Sequence, residues 1–231
     1  MTEAPIVEGP MQAGSPLRTP RAAALAGIVF SVLLISALVL LRISVPARAD
    51  VPGEWLTDSW RRTEVAIALN LVPFAGIAFL WFVGVVRDRI GAREDRFFAT
   101  VFLGSGLLFV AMLFAAAAIS GGLIADVSSA PPSAGTLALG RNVTAILLNV
   151  YAMRMAAVFT LTTVTIARRT EIVSRWLTVA GLVSALVLLV GVGISPWVEL
   201  LFPLWILALS IDILAAGLRI PPRAAGPARR G

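Results

Sequence analysis

Arg154 is the residue in this chain whose type and position most demand chemistry. It stands 13 residues after Arg141 and 14 before Arg168, inside an otherwise apolar stretch. At 1.5 Å per helical residue that is ~20 Å from either flank. An arginine at such a depth in hydrocarbon costs ~2.5–3.5 kcal/mol on insertion scales, so it is expected to face protein or water and to have a partner. At 100° per residue Tyr151, Arg154, Thr162 and Thr165 fall in one sector, and Asn142, Asn149 and Thr160 on the opposite face. Asp212, seven residues before Arg219, is the expected ionic partner, with Tyr151 and Asn70 as further acceptors. The candidate ligand-binding set is therefore Arg154, Tyr151, Asp212, Asn149 and Asn70. Two readings stay open: a site for an anion, a carboxylate-bearing molecule or a lipid headgroup, or a structural arginine neutralised by a helix partner and nearby carbonyls.

Other chemistries are excluded by composition. Without cysteine there is no thiolate nucleophile, redox disulfide or iron–sulfur ligation, and without histidine no imidazole ligand, general base or Ser-His dyad. No metal or cofactor is expected. An enzyme built from this chain would rely on carboxylates, arginine, tyrosine or hydroxyls. Its acids are scattered in depth: Glu64, Asp126 and Glu199 read as interfacial, and Asp212 lies deeper.

These residues must be positioned by apolar helices. The chain is 58% hydrophobic and 14% charged, with mean hydropathy +0.92, far from soluble averages. Apolar stretches run over 22–41, 65–86, 97–124, 143–167, 176–194 and 197–218, each near or above the ~20 residues that span ~30 Å of hydrocarbon. The expected fold is all-α, a polytopic transmembrane bundle of six helices over 22–218. Disordered cytoplasmic tails are expected over 1–21 and 219–231, where proline and small polar residues carry no apolar period. The first apolar run is longer than a signal-peptide core and is expected to remain uncleaved.

All 19 basic residues are arginines, and they lie mainly at span ends. With both termini inside, 13 fall on the cytoplasmic side and 5 on the outer side, with Arg154 within the membrane. That bias predicts an inner (plasma) membrane protein with both termini cytoplasmic. The same placement argues against nucleic acid as a partner for the +6 net charge. Trp176 and Trp197 fall at span ends, as an aromatic belt requires, and Pro73 and Pro203 interrupt the second and sixth spans. Glycine, serine and alanine runs at 104–106, 115–118 and 120–122 read as surfaces of close helix approach.

Gly84-Val85-Val86-Arg87-Asp88-Arg89-Ile90-Gly91-Ala92-Arg93 resembles the cytoplasmic loop motif G-x-x-x-D-R-x-G-x-R/K of major facilitator transporters. That resemblance implies a half-transporter that dimerises. Alternating charges over Arg87–Arg96 around Gly91 can pair locally, so an ordered cytoplasmic turn is expected there. Phe79 to Arg89, followed by Glu94 to Thr100, is similar to uncharacterised six-helix integral membrane proteins of high-GC bacteria, which implies the fold class but no activity. The expected function is a non-enzymatic membrane component, transporter-like or a partner of another membrane protein. The alternative is a lipid-modifying enzyme in which Arg154 holds a phosphate and a carboxylate acts as base. Expected partners are the bilayer, a second copy or another membrane protein, and an anionic small molecule or lipid headgroup.

Overall fold

A computed structural model describes residues 19–45, 58–90, 96–126, 133–170, 174–191 and 195–218. Every regular element among them is helical, in six rods. The first three are α1 (Thr19–Ser44), α2 (Ser59–Ile90) and α3 (Arg96–Asp126). The fourth joins α4 (Ala134–Ala145), a π-helical segment (Ile146–Ala152) and α5 (Met153–Thr170) without a break. The fifth is α6 (Arg175–Val190), and the sixth joins a 3₁₀ turn (Pro196–Leu200) to α7 (Leu201–Leu218). Successive rods pack side by side, and α7 closes on α1 to complete a ring.

Five rods are long and apolar enough to cross a membrane. The expected six helices are all present; the described part of α6 is apolar but shorter, its 16 residues reaching ~24 Å at 1.5 Å each. Its helix stops where the Gly191 amide caps back onto the Val187 carbonyl, and the rest of the predicted span, 192–194, lies outside the described residues. The tails at 1–18 and 219–231 and the turn at 91–95 also lie outside them, and the motif that ends at Arg93 with it. Helix α1 begins at Thr19, so Thr19 to Arg21 of the predicted tail are helical.

Seven fully buried phenylalanines fill the middle of the ring: Phe30 from α1, Phe79 and Phe82 from α2, Phe102 and Phe109 from α3, Phe159 from α5 and Phe202 from α7. Ring centroids lie 4.6 Å apart for Phe30–Phe79 and Phe102–Phe159, 4.9 Å for Phe109–Phe202 and 5.0 Å for Phe79–Phe159. Tilted, stacked and edge-on pairs of this kind contribute about 0.5–1.5 kcal/mol each beyond their buried area. Helix α6 brings no phenylalanine and is fastened differently. The buried Trp205 indole N–H of α7 donates to the Leu177 carbonyl of α6 at 3.1 Å.

Rods come this close because small residues line their contacts. Ala23, Gly27 and Ser31 recur every fourth residue on one buried face of α1. A Cβ on Gly27 would run into Ser210 Oγ of α7 and come within 2.9 Å of the Phe82 ring. Of the glycines expected to mark close approach in α3, Gly106 meets Phe159 at 3.3 Å, whereas Gly104, Gly121 and Gly122 face open space.

Gly27→Leu should therefore destabilise the bundle by about 1–3 kcal/mol through overpacking. Gly84→Leu, whose Cβ meets nothing within 4 Å, should leave stability nearly unchanged. Thermal unfolding of the two variants in the same detergent checks the contrast; equal shifts would contradict the α1–α7 contact.

Candidate functional site

The site begins with one carboxylate. Glu199 sits in the 3₁₀ turn that opens the sixth rod, where the Ser195 side chain accepts the Trp197 amide at 3.3 Å and Pro196 fixes the first position. Pro203 has no amide to offer the Glu199 carbonyl, which suits a change from 3₁₀ to α spacing at this point. The turn aims Glu199 inward: its side chain is 5% exposed, and Arg42 Nη2 donates to its Oε1 at 2.6 Å. Arg42 lies in the last turn of α1, where a cation also suits the exposed carbonyl end of the helix. Glu199, expected as an interfacial charge near the outer end of the sixth span, is buried and paired across 157 residues of chain. Nearby, Ser44 Oγ donates to Glu64 at 2.7 Å and Arg61 reaches the Ser44 carbonyl at 3.5 Å, so α1 and α2 are tied at the same end.

Below this pair lies a cavity of about 240 Å³, walled by α1, α2, α3 and the α4–π junction. Its polar groups are Arg42, Glu199, Arg141, Ser120, Thr144 and Asn149; its apolar wall includes Leu34, Leu38, Leu69, Val72, Leu113 and Leu148. The Ser120 and Thr144 hydroxyls lie 3.3 Å apart and share a hydrogen bond. Arg141 is exposed and makes no hydrogen bond or ion pair among the described residues. Two arginines against one glutamate leave the polar end with an excess positive charge. From Arg42 to Leu34 is eight helical residues, so the apolar part reaches ~12 Å inward, toward the phenylalanine cluster.

Of the five residues expected to form a site, Asn149 lines this cavity and the other four do not. Arg154 is half-buried, and its guanidinium donates to the Val150 carbonyl of its own rod at 3.2 Å. No carboxylate pairs with it among the described residues, so the expected Arg154–Asp212 pair is corrected. Asp212, half-buried, accepts the Ser174 amide at 3.5 Å at the start of α6. Tyr151 is 54% exposed, and Asn70 is exposed with its amide turned back to the Ala66 carbonyl at 2.8 Å. The hydroxyls of Thr160, Thr162, Thr163 and Thr165 likewise donate to carbonyls one turn earlier in their own helix.

The reason is local. Over Ile146–Ala152 the amides bond five residues back, as in Met153 N–H to the Leu148 carbonyl, so fixed 100° steps fail across this segment. Arg154 stands just after this segment and turns its guanidinium back to the Val150 carbonyl within it. Arg42, Arg141 and Glu199 were the residues missed. A signal for them exists: Arg42 closes the first apolar span and Glu199 opens the last, with opposite charges at one end of the bundle.

Removing one partner of a buried ion pair strands the other, at a cost of about 3–5 kcal/mol, whereas replacing both by apolar residues is often close to neutral. Arg42→Met and Glu199→Met should each lower unfolding stability markedly, and the double variant should be more stable than either. Arg154→Leu and Asp212→Leu, which share no contact, should instead add within about 0.5 kcal/mol. Double-mutant cycles in detergent measure both couplings; the reverse pattern would overturn the assignment.

Compared with protein-family models, with curated proteins and with solved structures, the chain matches none, so the site is read from its own chemistry.

Proposed function

We propose that this chain is an integral membrane protein that holds a ligand in the Arg42–Glu199 cavity without transforming it, as a transporter-like component or as a subunit of a larger membrane assembly. The observation that carries this reading is the cavity itself, whose charged groups are fixed at one end of an apolar slot inside five span-length helices. Binding pockets share this plan, mostly apolar walls with a few placed polar groups.

Exposed tryptophans support the membrane placement. Trp60 and Trp197 stand out at the Arg42 end and Trp81 and Trp176 at the other. Trp60 to Trp81 is 21 residues of α2, or ~32 Å, which matches the separation of the two interfacial belts. The arginine bias puts the Arg42 end outside and both termini in the cytoplasm of a plasma membrane. Half-buried Arg154 and exposed Tyr151, three residues apart, mark the surface where a second copy or another membrane protein would sit.

A lipid-modifying enzyme is the second reading. It is favoured by the convergence of Glu199 with two arginines and the Ser120 and Thr144 hydroxyls at one end, where the sequence had suggested scattered acids.

The chain has no cysteine, so each cysteine introduced is a unique label site. In intact cells Thr136→Cys should react with a membrane-impermeant maleimide, and Arg175→Cys should react only after permeabilisation. Labelling in the opposite order would invert the orientation and place the cavity toward the cytoplasm.

A further inference from the structure

We infer that the cavity takes a single-chain amphiphile with an anionic head, the head on Arg141 and the chain running down to Leu34 and Leu113. This rests on the reading of the cavity as a ligand site, and it adds the chemical class. The polar end carries one more arginine than carboxylate, and the spare one is Arg141, which has no partner among the described residues. Arg42 is held by Glu199 through one bond, so its guanidinium keeps other donors for the same head. Glu199 repels an anion that moves toward the α7 side, which leaves the Arg141 side as the favoured seat. A cationic head would meet two arginines there.

Below the head the wall is aliphatic, from Leu41 and Val65 to Leu34, Val72 and Leu113. Nothing at the floor could hydrogen-bond a second polar group. The volume of about 240 Å³ lies below the ~300–1,000 Å³ usual for drug-sized ligands. One chain fills that space, and a second chain of a bilayer lipid would have to lie outside it. Ser120, Thr144 and Asn149 stand beside the head, where hydroxyl and amide groups can accept or donate to a carboxylate or a phosphate.

The test uses the whole chain in nanodiscs of zwitterionic phosphatidylcholine. The probe is dodecyl phosphate with a diazirine near the end of its chain, compared with matched probes bearing a carboxylate, a hydroxyl or a trimethylammonium head. After irradiation, mass spectrometry maps the label. Saturable labelling of the floor around Leu34, Val72 and Leu113 by the two anionic probes is expected, and their ratio tells phosphate from carboxylate. Arg141→Ala should weaken anionic labelling about tenfold, the loss of one charged hydrogen bond, and leave the hydroxyl probe unchanged; Arg141→Lys should retain most of it. Ala117→Phe, which fills the slot, should abolish floor labelling by every probe while the melting temperature shows the variant folded. Inorganic phosphate should not compete, and neither should phosphatidylglycerol added to the nanodisc. Equal labelling by the neutral or cationic probe, competition by either anion source, or indifference to Arg141→Ala would overturn the anionic single-chain assignment while the cavity remained a ligand site. Absence of saturable floor labelling by any probe would overturn that broader reading as well.

Discussion

A carboxylate placed just inside an apolar helix must find a cation, and Glu199 finds Arg42 from the opposite end of the chain. Taking both groups from water is expensive, and their attraction offsets the cost only with close geometry. The 2.6 Å contact therefore constrains more than two side chains. It fixes where α1 ends relative to where the sixth rod begins, and so joins the first and last elements of the ring. The Gly27–Ser210 approach further along the same two rods does the same by shape. Between them, charge at one end and close packing along the contact set the register of α1 on α7.

The cavity follows from that register. Toward the centre five of the rods meet through seven large, fully buried phenylalanines. Toward the Arg42 end the facing positions are smaller or aliphatic: Ala37, Ala116, Ala117, Leu38 and Leu69. The ring cannot close there to the same density, and the ion pair holds α1 and the sixth rod at the mouth of the space. The fourth rod closes the slot with the helical face of Arg141, Thr144, Ala145, Leu148 and Asn149, while Tyr151 faces out.

The fold class was legible in the sequence because span length and hydropathy are properties of single segments. All six apolar stretches became helices, five of them of full span length among the described residues. The site was less legible because it depends on relations between segments. Arg154 drew attention by its depth, yet its own rod supplies the acceptor, a carbonyl one turn back, which residue types do not announce. Arg42 and Glu199 looked ordinary because each stands at a span end, where charges are common. Their meaning appears only when α1 and the sixth rod are neighbours. Asn149 was found as part of a polar face of the fourth span, and it lines the cavity on the same helical face as Arg141, Thr144, Ala145 and Leu148.

The central claim, that one ion pair joins the ends of the chain and shapes the cavity, is open to direct measurement by solid-state NMR in reconstituted bilayers. With ¹⁵N in the arginine guanidinium groups and ¹³C in the glutamate carboxyls, dipolar recoupling reports arginine–glutamate contact. Strong dephasing is predicted for the native chain, and its arginine–glutamate component should fall away in Glu199→Gln. Dephasing that is absent in the native chain, or unchanged in that variant, would contradict the account.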